Sequence, residues 1–125
     1  MRILLAEDFL ALREMCREML ERAGHKVVLA LDGEEAWKTL THDGQEFDLI
    51  LSDNSMPGIR GTELLHRLRE KEKMTGARRT PFILMSDADP WQYERYCAER
   101  NASFLKKPFT DEELNAKLLQ LGDAS

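Results

Sequence analysis

Residues Leu49–Gly58 read LILSDNSMPG. A run of apolar residues closes on an acid, Asp53, and then breaks into the turn Met56-Pro57-Gly58. With the residues before it, this is a strand, Phe47–Ser52, almost continuous in apolar character. A strand without apolar–polar alternation is covered on both faces, as central strands of parallel sheets are. Ligands of such sheets bind outside the carboxyl ends of the strands. Asp53 is therefore either a turn cap or part of a site, and its neighbours decide which.

Working outward, four more short apolar runs appear: Arg2–Ala6, His25–Ala30, Pro81–Ser86 and Ala102–Lys106. Helical patterns separate them. Leu12, Met15, Cys16, Met19, Leu20 and Ala23 recur at three- and four-residue spacing, and Gly24 is a natural stop. Asp32 with Glu35 forms a capping-box-like start for a helix carrying Ala36, Trp37 and Leu40. Leu64, Leu65 and Leu68 mark a third helix. Asp89-Pro90, an N-cap with proline at the first helical position, opens a fourth through Arg100. Thr110 with Glu113 is a full capping box for a last helix lined by Leu114, Leu118 and Leu121. Five strand–helix alternations predict an α/β fold, a (βα)5 flavodoxin-like three-layer sandwich with parallel strand order 2-1-3-4-5. A half-Rossmann domain would need a GxGxxG after the first strand, and none is there.

The 125 residues suit one domain, 1–125, of ordinary globular composition, 42% apolar and 33% charged. No run approaches a membrane span and no signal-peptide core is present, so a cytoplasmic protein is expected. The net charge of −5, with signs interspersed, argues against direct nucleic-acid binding. Arg78-Arg79, near Lys71 and Lys73 and diluted by Glu70 and Glu72, reads as a solvated helix end. Cys16 and Cys97 are far apart and read as reduced thiols. His25, His42 and His66 lie in different elements without ligand-like spacing.

In a 2-1-3-4-5 sheet the crevice lies between strands one and three. Strand one ends in Glu7-Asp8, strand three in Asp53, strand four in Ser86 and strand five in Lys106-Lys107-Pro108. Carboxylates held this close repel unless positive charge intervenes. Lys107 supplies one charge, while alternation sends Lys106 to the opposite face. An all-oxygen ligand set suits Mg²⁺, with Glu7, Asp8, Asp53 and the backbone carbonyl of Ser55 as the protein share. A carboxylate beside a metal and an ammonium can accept a phosphoryl group. Asp53 is the candidate acceptor, and Lys107 and the Ser86 hydroxyl can neutralise the equatorial oxygens. Each of these residues also has an ordinary reading: a turn or helix cap for Asp53 and Asp8, a strand end for Ser86, a surface lysine for Lys107.

The ordered set resembles the receiver domain of two-component response regulators. It comprises Glu7-Asp8, the D-x-x-M-P-G of Asp53–Gly58, Ser86, and Lys107-Pro108, with Phe104 at the family's aromatic switch position. The resemblance runs from the first strand to the last helix. It implies a phospho-acceptor that assists its own phosphorylation and dephosphorylation rather than an enzyme in the usual sense. The implied partners are a histidine kinase or phosphotransfer protein, and a downstream protein target or an output domain outside this chain. It further implies that phosphorylation draws Ser86 toward the phosphoryl group, turns Phe104 inward and alters the face made by helix four, strand five and helix five. Trp91, Tyr93 and Tyr96 on helix four read as core packing or as part of that face. Three residues depart from the pattern: Glu7 where aspartate is commoner, Phe104 where tyrosine is frequent, and Asp87 where a small residue is usual. The last keeps a phosphorylation-independent docking module open. A flavin carrier of the same fold would want Ser, Thr and Gly after strand one. A haloacid-dehalogenase-type phosphatase would want an acid at Ser55.

Overall fold

Strands and helices alternate along the chain in the computed structural model, which describes residues 1–42 and 44–123. They are β1 (Arg2–Ala6), α1 (Leu10–Arg22), β2 (Lys26–Ala30), α2 (Gly33–Thr41) and β3 (Leu49–Asp53). There follow α3 (Gly61–Thr75), β4 (Phe82–Ser86), α4 (Pro90–Glu99), β5 (Ser103–Lys106) and α5 (Asp111–Asp123). The sheet is parallel throughout, in the expected order β2-β1-β3-β4-β5.

Every residue of β3 and β4 is buried, which is why neither run alternates. Period-two geometry divides the apolar residues between two layers. Ile3, Leu5, Leu49, Leu51, Ile83 and Met85 face Cys16 and Leu20 of α1 and Leu114 and Leu118 of α5. Leu4, Ile50, Phe82, Leu84 and Phe104 face Ala36, Leu40, Leu64, Leu65 and Cys97 on α2, α3 and α4. Each fully buried Leu or Ile contributes about 1.5–3 kcal/mol, so the sheet is a stiff mount for whatever its ends carry.

The capping boxes divide. Thr110 and Glu113 bond reciprocally, at 3.1 and 3.2 Å, and Asp32 Oδ1 accepts from the Glu35 amide at 2.8 Å. Asp89 stands at the N-cap of α4 with Pro90 after it, but its side chain makes no cap bond. Its backbone carbonyl takes the Gln92 amide instead. Strand three starts at Leu49, later than expected. Asp48 is spent on β1, its amide donating to the Arg2 carbonyl and its carboxylate accepting from the Arg2 amide. Among the described residues no helix is long and apolar enough to cross a membrane.

Candidate functional site

The register sets the site. Ala6 pairs with Ser52, and Asp53 with Met85, so the ends of β1, β3 and β4 finish side by side. Glu7 and Asp8 leave β1 directly beside Asp53. Carboxylate oxygens of Glu7, Asp8 and Asp53 lie within 4.8 Å of one another, and this is the one such His/Cys/Asp/Glu group among the described residues. From β5, the Lys107 ammonium donates to Asp53 Oδ1 at 2.5 Å and stands 3.9 Å from Glu7 Oε2. The Ser55 amide donates to Asp53 Oδ2 at 3.1 Å, so the carbonyl expected as a metal ligand belongs to the same tight turn. Ser86 is buried at the end of β4, its Oγ accepting from the Ala88 amide at 3.1 Å.

The turn after Asp53 is held at both ends. Met56 and Ile59 bury themselves in the α2–α3 layer, while Gly58 takes φ +77°, a left-handed conformation that glycine adopts without penalty. Asn54, buried, accepts from the Thr62 amide at 3.0 Å and so ties β3 to the first turn of α3. A Cβ on Gly61 would stand 2.4 Å from the Asp53 carbonyl. Only glycine lets α3 start this close to the acid.

The electrostatics set several carboxylates against one ammonium. Glu7 is fully buried, and its Oε2 has no hydrogen-bond partner. Burial, with Asp53 adding repulsion, pushes its carboxyl up to about 7. Burial also raises Asp53, against the opposing pull of Lys107. Burial alone would lower Lys107, but its bond to Asp53 and the charges of Asp53, Glu7 and Asp87 hold it above the usual lysine range. One ammonium thus serves three carboxylates. A buried orphan oxygen within a purely oxygen donor set is what a hard divalent cation satisfies, so the residues present fit Mg²⁺.

Some expected roles change. Asp8 is not the cap of α1. The N-cap is Phe9, without a side-chain bond, and its amide donates to Glu7 Oε1 at 3.1 Å. Asp8 is exposed and left to the cluster. Phe104 already lies inward, 7% exposed, its ring stacked on Tyr93 with centroids 6.2 Å apart. Without a hydroxyl to hydrate, this ring gains nothing by facing water. The helix-four aromatics divide: Trp91 is 75% exposed, whereas Tyr93 and Tyr96 pack against the core and Tyr96 donates to the Thr62 carbonyl. Glu72 is no part of a solvated face. It is buried, bonded to Arg69 at 2.8 Å and to the Thr80 amide at 2.7 Å.

Two residues were missed. The Arg13 guanidinium donates to the Glu7 carbonyl at 3.0 Å and approaches that of Asp8 at 3.4 Å, bracing the loop between β1 and α1. Lys106, expected as a surface lysine on the opposite face, is exposed and also holds carbonyls of the β4–α4 loop. Helical or strand phase could have placed both residues near the sheet edge, but a bond to a backbone carbonyl leaves no mark in sequence.

Comparison with known proteins converges on one family. Residues 3–119 match the response regulator receiver domain. The sensory/regulatory protein RpfC of Xanthomonas campestris pv. campestris (strain 8004) is 36% identical over 121 residues, 95% of this chain and 16% of that protein. The chain thus spans about a sixth of that relative. The receiver domain of the Francisella response regulator 1452 superposes with a TM-score of 0.84 at 25% identity, covering 99% of this chain and 98% of that one. The receiver domain of sensor histidine kinase PA1611 from Pseudomonas aeruginosa PAO1, with a magnesium ion coordinated in its active-site cleft, gives 0.77 at 30% identity, covering 97% of each chain.

Proposed function

This chain belongs to the response regulator receiver domain family of two-component signalling, and from that premise we propose that Asp53 is its phospho-acceptor. The observation that carries the reading is the carboxylate cluster of buried Glu7 and Asp53 with exposed Asp8, in which Lys107 meets Asp53 and Glu7, and Glu7 Oε2 has no hydrogen-bond partner. A histidine kinase or phosphotransfer protein is the proposed donor and Mg²⁺ the proposed cofactor, in keeping with the magnesium of the PA1611 receiver. Glu7, Asp8, Asp53 and the Ser55 carbonyl would hold the ion. When bound, it supplies positive charge against the phosphoryl oxygens.

The chain's own residues do the rest. Lys107 favours the ionised form of Asp53 against the effect of burial, and the carboxylate oxygen attacks phosphorus. The new bond is an acyl phosphate, and the bond broken is phosphorus to imidazole nitrogen. The departing nitrogen keeps the electron pair. Lys107 and the Ser86 hydroxyl then face the charge spread over the equatorial oxygens. With Phe104 already inside, the readout we propose is a shift in the β4–α4 loop and the exposed side of α4, where Trp91 stands, toward a downstream protein or an attached output domain.

Incubation with acetyl phosphate and Mg²⁺, read by intact mass, tests this. Wild type is expected to gain one phosphoryl group, lost on adding EDTA from the start or on Asp53→Asn. No gain in wild type with Mg²⁺ bound would leave a phosphorylation-independent docking module.

A further inference from the structure

β5 ends in Lys106 and is followed by Lys107, and only Lys107 joins the acids. Lys106 lies two residues beyond Phe104 and shares its face of the sheet. It pairs in register with Ser86 on β4. Its Nζ donates to the Asp87 carbonyl at 2.8 Å and reaches the Ala88 carbonyl at 3.4 Å. Inside the same loop the Ala88 amide donates to Ser86 Oγ, and the Ser86 carbonyl accepts from the Lys107 amide at 2.8 Å. Pro90 begins α4 immediately afterwards, with a fixed φ and no N–H to offer. Only Asp87, Ala88 and Asp89 therefore separate a buried strand end from a rigid helix start, and Lys106 grips two of the three.

We propose that Lys106 is a positioning residue for phosphoryl acceptance: by holding the Asp87 and Ala88 carbonyls it fixes the loop that presents the Ser86 hydroxyl to the acceptor edge. An ammonium suits this task, because it carries three donors, accepts nothing and bonds a carbonyl more strongly than a neutral donor does. Without it, the loop keeps its two backbone ends but loses its midpoint, and the hydroxyl samples orientations away from Asp53.

The inference rests on Asp53 being the acceptor, so the test has two arms. Lys106→Met keeps the aliphatic stem and removes the donors; Lys106→Arg keeps donors. The first arm uses no Mg²⁺ and no phosphodonor: the exchange rate of the Ala88 amide, read by NMR, is expected to rise about fivefold in Lys106→Met and to stay near wild type in Lys106→Arg. In the second arm, the initial rate of Mg²⁺-dependent labelling by acetyl phosphate falls about fivefold in Lys106→Met, with Mg²⁺ affinity by calorimetry unchanged. Unchanged Ala88 exchange overturns the proposal, whatever the rate does, because the effect would then belong to surface charge. Faster exchange with an unchanged rate overturns the link to phosphoryl acceptance. Absence of label in wild type overturns the acceptor reading itself, which the first arm does not depend on.

Discussion

The two ends of the same sheet treat buried charge in opposite ways. At the amino-terminal end, Glu72 is buried but both oxygens are engaged, by Arg69 and by the Thr80 amide. Arg69 in turn donates to the carbonyls of Arg100 and Asn101. Nearby, Arg2 donates to the Glu46 carbonyl and to Gln45, and lies over the Phe47 ring. At the carboxyl-terminal end Glu7 and Asp53 share Lys107, and Glu7 Oε2 has no hydrogen-bond partner. Satisfied buried charge holds structure together. Buried charge left unsatisfied is kept against folding stability and marks a functional edge.

The comparison can be broken most decisively at Asp53. Asp53→Asn should abolish phosphoryl labelling while leaving the fold intact by circular dichroism; retained labelling would move the acceptor elsewhere. The next largest effect belongs to the opposite end. Glu72→Ala takes the carboxylate from Arg69 and the acceptor from the Thr80 amide, and should cost about 3 kcal/mol of stability in urea unfolding. A cost under half that would deny the pair its structural role. Glu7→Gln should do the reverse, stabilising the metal-free protein by about 2 kcal/mol because a buried, repelled carboxylate is gone. The same substitution should remove the stabilisation that added Mg²⁺ gives wild type, read as a thermal shift. Should Glu7→Gln prove destabilising, the carboxyl edge would be as well satisfied as the other. Smallest is Asp87→Ala. Asp87 is exposed, and its charge reaches Lys107, so its removal should speed labelling by acetyl phosphate only about threefold. A slower rate would show that Asp87 helps rather than hinders the incoming anion.

Much of this was legible in the chain. The apolar runs gave five strands because a covered strand has no room for alternation. The polar residues that close those runs then had to meet at one edge once the strands were parallel. Gly61 and Asn54 were not legible as parts of the site. Their importance lies in how closely α3 returns to β3, a distance that no local pattern encodes. Phe104 was legible as a position but not as a state, since stacking on Tyr93 depends on where α4 docks.

By itself, then, the sequence determined the fold class and the identity of the acids, hydroxyl and lysine at the strand ends, while the strand order it only suggested is set by the sheet. It could do so because periodicity and strand ends are local properties. Tertiary structure alone decided which buried charges are paired. Glu7 and Glu72 look alike in sequence, yet one keeps an empty oxygen and the other has none to spare. Tertiary structure also gave Lys106, which stays exposed, a hold on the β4–α4 loop. Its partners are backbone carbonyls brought near by strand pairing, and every residue carries a carbonyl, so only their arrangement in space could single these out.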